Sequence, residues 1–268
     1  MSEHLLLLDA SGFAFRAFYS KHPRYHDKNG APTGAIEVFL GMGWNMLGKA
    51  AADQPTHAVA VFDAPGKNFR HDIYPAYKSN RDPARREELD HQFPVMRACA
   101  DVLGMTPVEL EGFEADDLIA TLATKARAKG IRVTIVSSDK DFAQLVEDGH
   151  IEIVDPMAKK RVLEAQVLKR FGVQPALVPQ VQALAGDSVD GIPGIAGCGL
   201  DIAARLIRSF GDLESLLADV KKVRFHRVRM ELERRRDIGD GLGEMTGADR
   251  VRIFLKLTTL DRKVPLKV

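Results

Sequence analysis

Three short apolar runs in this chain each lead to an aspartate: Leu5 to Leu8 before Asp9, Ala58 to Phe62 before Asp63, and Val133 to Val136 before Ser137-Ser138-Asp139. Runs of this length, apolar almost throughout, suit strands covered on both faces, as in a parallel sheet flanked by helices. Helical patterns at about 34–52, 90–103 and 114–129 separate them, the alternation of a βαβ architecture. The fold class read from this is α/β, a mostly parallel central sheet with helices on both faces. Open α/β sheets bind ligands outside the carboxyl ends of their strands. Asp9, Asp63 and Asp139 should therefore meet along one edge of the sheet.

More acids follow at helix starts and turns: Glu114-Ala115-Asp116-Asp117 after Gly112-Phe113, Asp139-Lys140-Asp141, and Gly186-Asp187-Ser188-Val189-Asp190-Gly191. Each has a local explanation when taken singly. Glu114 and Asp116 favour a helix N-terminus, Asp139 caps a helix, and Asp187 and Asp190 serve turns. Local roles do not explain why all three strands lead to Asp and why three further acidic groups follow. Like charges so crowded are strongly unfavourable without cations. Hard divalent cations take oxygen ligands and keep several waters, so a few direct carboxylates, with others acting through water, suffice. Two such ions about 4 Å apart clamp the attacking and leaving oxygens of an in-line phosphodiester hydrolysis.

From about residue 175 the texture changes to short helices punctuated by Gly and Pro, which divides the chain into an α/β domain, 1–175, and a helical subdomain, 176–268. Within the first, the stretch 64–90 is polar, basic and longer than an ordinary connection. No apolar run approaches the roughly 20 residues that span a bilayer. The start, Met1-Ser2-Glu3-His4, lacks the basic region of a signal peptide. Cys99 and Cys198 have neither metal spacing nor a disulfide framework, so a reduced, cytoplasmic setting without membrane contact is expected. The net charge of +1 averages over separate patches and decides nothing about nucleic acid.

At these residues the chain resembles the 5′-nuclease family, which includes the 5′-3′ exonuclease domain of bacterial DNA polymerase I, stand-alone bacterial relatives, phage 5′-exonucleases and flap endonucleases. The motifs are Val61-Phe62-Asp63, Phe69-Arg70, Tyr77-Lys78-x-x-Arg81, Gly112 to Asp117, Ser138 to Asp141, and Gly186-Asp187-x-x-Asp190-Gly191-Ile192-Pro193-Gly194. The resemblance runs from Leu5 to about Val268. It implies a first cation group of Asp9, Asp63, Glu114 and Asp116, and a second of Asp117, Asp139, Asp141, Asp187 and Asp190. The implied cofactors are two Mg²⁺ ions, with Mn²⁺ able to substitute. Residues 64–90 would form a helical arch, with Lys78 and Arg81 at its base gripping the scissile phosphate and Arg70 and Tyr77 close by. The implied activity is cleavage of flapped, nicked or 5′-ended duplex DNA, or an RNA–DNA hybrid, leaving 5′-phosphate and 3′-hydroxyl ends. A monomer is expected, with a DNA polymerase in trans as partner by analogy. Residues 260–266 resemble the point where the nuclease part of the polymerase ends, so both a stand-alone enzyme and a polymerase domain remain open.

Gly191, Gly194, Gly197 and Gly199, followed by a helical pattern, look like a helix-hairpin-helix, whose backbone N–H groups meet phosphate oxygens without reading sequence. The family usually has Lys-Thr after the last glycines, where this chain has Asp201-Ile202. An acid there repels phosphate and counts against both duplex grip and a K⁺ ion in the turn. Trp44 and Phe39 lie at helical spacing and read as core. Three other classes of function stay open from the residues: a nuclease-dead factor binding branched DNA, a PIN-type ribonuclease on a related acidic sheet and, ranked last, a phosphotransferase using Asp139 and Asp141 as nucleophile and acid.

Overall fold

The structure is a computed structural model and describes residues 3–19, 25–30, 33–48, 54–80, 89–156, 158 and 160–266. Strands β1 (His4–Asp9), β2 (His57–Val61), β3 (Thr106–Val108), β4 (Arg132–Val136), β5 (Ile151–Asp155) and β6 (Lys160–Val162) form one sheet in the order β3-β2-β1-β4-β5-β6. Every pairing is parallel except that of β5 with β6. The three strands expected from apolar runs lie side by side at the centre. Strands β3, β5 and β6 carry no such run, being short or partly exposed at the sheet margins.

Side chains of β1 alternate between two cores, as the two-residue period of a strand demands. Leu6 and Leu8 enter the core beneath α1 (Ala10–Tyr19), α2 (Gly34–Gly48) and α4 (Phe93–Val102). Leu7 enters the core beneath α5 (Ala115–Ala128). The register sets Asp9 opposite Val61 and Leu8 opposite Val136, so the carboxyl ends of the three central strands are level.

Expected helices begin or end within a few residues of those observed. Between β2 and α4, the described part of 64–90 holds a short helix, α3 (Phe69–Ile73), and turns up to Asn80; residues 81–88, with Arg81, lie outside the described residues. Trp44 is 71% exposed, which corrects the expectation of a core residue, whereas Phe39 is buried at 1%. Five residues of helix separate them, a rotation of about 140°, so one faces the core and the other does not.

Beyond β6 the chain forms α6 (Glu164–Phe171), α7 (Val178–Ala185), α8 (Leu200–Phe210), α9 (Leu213–Ala218), α10 (His226–Glu233), a two-stranded ribbon and α11 (Gly247–Thr258). Apolar residues of α7, α8 and α11 join the core that contains Leu7 and α5. The hairpin between α7 and α8 crosses the C-terminal end of α7. Ile195 N–H donates to Leu184 O at 2.8 Å, and Asp187 and Ile192 exchange bonds of 2.7 and 2.8 Å. Gly194 sits at this crossing with φ +64°, where a Cβ would lie 2.4 Å from Gly186 N and 2.5 Å from Ala185 C. Backbone cannot swing aside as a side chain can. Gly194→Ala is therefore expected to destabilise the chain by about 2 kcal/mol or more, measured by urea unfolding; a loss under about 0.5 kcal/mol would show that the crossing relaxes freely.

Candidate active site

The carboxyl edge of the sheet opens into a cleft of about 760 Å³. Asp9, Asp63 and Asp139 reach it from the ends of β1, β2 and β4, and Glu114 and Asp116 from the start of α5. Asp141 reaches it from the 3₁₀ turn after β4, and Asp187 and Asp190 from the loop after α7. Eight of the nine acids singled out in the sequence thus line one cleft. Asp141, Asp187 and Asp190 lie close enough to offer oxygens within 4.8 Å of one another.

Hydrogen bonds fix the acids at the ends of β1 and β2. Asp9 accepts from Gly12 N at 2.7 Å and from Ser137 Oγ at 2.6 Å. Ser137 Oγ in turn accepts from Asp139 N at 3.0 Å, and Ser11 Oγ accepts from Asp63 N at 2.7 Å. Asp63 Oδ1 accepts from Ala115 N at 2.8 Å, the first turn of α5. Gly12 is forced by this packing: a Cβ there would stand 2.2 Å from Asp9 Oδ2. Ser11, Gly12 and Ser137 were not singled out in the sequence, although each lies within three residues of a strand-end acid.

Lys67, Lys78 and Lys140 line the cleft, and the last two pair with its acids. Lys78 Nζ pairs with Glu114 Oε1 and lies 3.7 Å from Asp190 Oδ1. Its backbone has φ +52°, a conformation rare outside glycine. Lys140 Nζ pairs with Asp187 Oδ2 at 2.6 Å and was not foreseen as a site residue. Arg16, also unforeseen, lines the cleft and donates to Ser138 Oγ at 2.7 Å.

Asp117, Arg70 and Tyr77 do not line the cleft, which corrects three expectations. Asp117 is fully buried, and both its oxygens are taken by the Arg70 guanidinium at 2.6 and 2.7 Å. Arg70 is 1% exposed and also donates to Glu114 Oε2, Leu257 O and Thr259 O. Tyr77 is 2% exposed, with its hydroxyl 2.9 Å from Glu114 Oε2 and 3.2 Å from Asp190 Oδ2. A guanidinium and a ring so enclosed orient carboxylates and cannot meet a phosphate or a base.

In the hairpin, Gly197 and Gly199 are exposed, while Gly191 and Gly194 are partly buried against Ala76 O and the end of α7. Asp201 stands in the first turn of α8 and pairs with Arg205 at 3.0 Å, so its charge is partly offset within one helical turn.

Burial and mutual repulsion govern the protonation of the acids. Burial, then the charges of Asp139 and Asp63, push Asp9 up to about 7 against bonds from Ser137 and Gly12. Burial, then Asp139, push Asp141 up to about 8. Asp116 is raised well above the usual range by burial, Asp139, Asp9 and Glu114. Glu114 behaves oppositely: burial favours its neutral form, but Lys78 and Arg70 overcome it and hold the group near 2. Lys140 is raised despite burial by its bond to Asp187.

Two predictions follow from this balance. Asp9 and Asp141 keep protons in the folded state that the unfolded chain, near 3.8, has released. Their contribution is complete at low pH and is lost as pH rises towards about 7 and 8. In chelator, stability from this source should fall between about pH 4 and 8; melts of the wild type and an Asp9→Asn, Asp141→Asn variant check it, and parallel pH profiles would refute it. Separately, Arg70→Met leaves Asp117 buried and unpaired, and should cost about 3–5 kcal/mol in urea unfolding.

A family model described as the 5′-3′ exonuclease N-terminal resolvase-like domain matches residues 4–172, and one described as the 5′-3′ exonuclease C-terminal SAM fold matches residues 173–268. DNA polymerase I of Rhizobium leguminosarum is 40% identical over 268 residues, an alignment covering 98% of this chain but 25% of the polymerase. The chain thus spans about a quarter of that relative. The 5′-3′ exonuclease of Aquifex aeolicus is 39% identical over 229 residues, covering 85% of this chain and 77% of that protein. Among solved structures, T5 5′-exonuclease with bound zinc ions superposes with a TM-score of 0.73 at 17% identity, covering 97% of this chain and 90% of that one. The catalytic core of Rad2 with DNA substrate gives a TM-score of 0.57 at 18% identity, covering 87% and 70%. At such identities the structural likeness is one of fold. With both halves matched by the family's models and a relative near 40% identity aligned over most of its own length, this chain belongs to the 5′-3′ exonuclease family.

Proposed function

We propose that this chain is a divalent-metal-dependent 5′-nuclease that hydrolyses DNA as a 5′-3′ exonuclease and flap endonuclease in replication or repair. The observation that carries this reading is the convergence of eight carboxylates in one cleft, with Lys78 and Lys140 paired among them. The donor set is all oxygen, and burial together with mutual repulsion pushes Asp9, Asp116 and Asp141 toward protonation; both features suit Mg²⁺, with Mn²⁺ able to substitute. Asp9, Asp63, Glu114 and Asp116 would hold one ion, and Asp139, Asp141, Asp187 and Asp190 the other. When bound, two such ions supply water activation and charge stabilisation to an in-line phosphodiester hydrolysis.

The protein's own part is positioning. Ser137, Gly12 and Ala115 fix the rotamers of Asp9 and Asp63, while Arg70 and Tyr77 hold Glu114. Lys78, with Arg81, grips the scissile phosphate. On this reading the N-terminal α/β domain cuts and the C-terminal helices hold duplex through the exposed turn at Gly197 and Gly199. The working form is a monomer in the cytoplasm, with flapped, nicked or 5′-ended duplex DNA, or an RNA–DNA hybrid, as substrate and a DNA polymerase as a partner in trans. No helix among the described residues is long and apolar enough to cross a membrane.

A 5′-labelled flap duplex incubated with Mg²⁺ should be cut near the junction, and chelator should stop cutting. Asp116→Ala and Asp187→Ala should each lower the rate by about 10³-fold or more with the fold intact by melting. Binding of the flap without metal-dependent cutting would favour a branched-DNA-binding factor instead.

A further inference from the structure

Within the second carboxylate group, Asp187 and Asp190 share one loop, whereas Asp141 belongs to a different part of the chain, after β4. Three like charges within 4.8 Å repel, so something must hold Asp141 against the other two. Lys140, its neighbour in sequence, offsets part of that repulsion, but its direct bond goes to Asp187. The side chain that reaches Asp141 is Gln182 on α7, whose Nε2 donates to Oδ1 at 2.5 Å. Gln182 was not singled out in the sequence.

Gln182 is 2% exposed. Once ionised, as a cation ligand must be, Asp141 can only accept, so the NH₂ end of the amide faces it in the cation-binding state. The Oε1 end is then left buried with no hydrogen-bond partner among the described residues. Gln144 in the same region offers a contrast. Its Nε2 donates to Asp141 O and Thr258 O, both at 3.0 Å, and its Oε1 accepts from Leu260 N at 3.0 Å. Gln144 is satisfied at both ends, as expected of an amide that serves packing alone. An orphaned buried carbonyl at Gln182 is unfavourable for folding, and a residue kept for stability alone would be better served by an apolar side chain.

We propose that Gln182 is a positioning residue: its amide locks the Asp141 carboxylate into the cluster with Asp187 and Asp190 and thereby sets the affinity of the cation that cluster holds. The inference rests on the reading of that cluster as a divalent-cation site. The chemistry suits the task, because a neutral donor fixes Asp141 without cancelling the charge that attracts a cation. Gln182 also lies on the helix that leads into the loop of Asp187 and Asp190. One rigid element therefore controls the placement of all three acids.

The test is Mn²⁺ binding to the DNA-free full chain, followed by electron paramagnetic resonance, for wild type, Gln182→Met, Gln182→Leu and Asp187→Asn. Asp187→Asn identifies which class of bound Mn²⁺ belongs to the cluster. Both Gln182 variants should weaken that class about tenfold, leave the other class unchanged, and melt in chelator no lower than wild type. Unchanged affinity of that class in either folded variant overturns the proposal. Equal weakening of both classes with a lowered melting temperature also overturns it, because that is the signature of a packing role. Should Asp187→Asn affect no class of bound Mn²⁺ in the wild-type background, the reading of the cluster falls, and this inference with it.

Discussion

A guanidinium buried at 1% exposure ties together three distant parts of this chain. Arg70, on a short helix after β2, binds Asp117 and Glu114 at the start of α5 and the carbonyls of Leu257 and Thr259 at the end of α11. Asp117 also accepts Asp261 N at 2.8 Å, which draws in the tail that follows. Burying both charges is costly, and the attraction repays it only when the geometry is good and the remaining donors are satisfied. Both conditions hold here. The C-terminal helices are consequently not an appendage: they share a core with α5 and supply two of the acceptors that let Arg70 be buried. Through Glu114 the same guanidinium reaches the edge of the cleft, so packing at the back of the sheet and charge at its front are mechanically one system.

The cleft itself inverts the usual logic of a stable fold. Acids crowd at the strand ends, where burial and repulsion push Asp9, Asp116 and Asp141 toward their neutral forms. Glu114 escapes because Lys78 and Arg70 face it. Local bonding rules are also strained there: Lys78 adopts a backbone conformation that favours glycine, and Gly12 is pressed so close to Asp9 that no side chain fits. Lys78 is the one non-glycine residue with a positive φ among the described residues, and strain of that kind is what functional sites hold. The cost is spread over a large core, which tolerates it.

The hairpin shows how an apparent defect can be absorbed locally. Asp201 puts a negative charge at a helix N-terminus suited to phosphate. Arg205, one turn on, lies 3.0 Å away and offsets that charge at the surface. Both side chains are well exposed, so the pair is weak in free-energy terms, yet it changes the field that an approaching anion meets. The glycines of the hairpin divide their work. Gly194 exists to let two backbone segments cross, whereas Gly197 and Gly199 lie on the exposed turn.

The amino-acid sequence by itself determined the central strands, the parallel sheet, the helices between them and the meeting of Asp9, Asp63 and Asp139 at one edge. These follow from local patterns, since apolar runs, helical period and strand direction are properties of neighbouring residues. The tertiary structure decided which acids face the cleft and which face the interior. Asp116 and Asp117 are adjacent and chemically identical, yet a 100° step around α5 sends the first to the cleft and the second to Arg70. The same applies to Arg70 and Lys78, both basic residues of one segment, of which one is buried and the other reaches the cleft. Gln182 and Lys140 gained their contacts only when α7 packed against the turn after β4, more than 40 residues away for the Gln182–Asp141 bond. Burial and long-range pairing depend on the whole packed chain, and no local pattern encodes them.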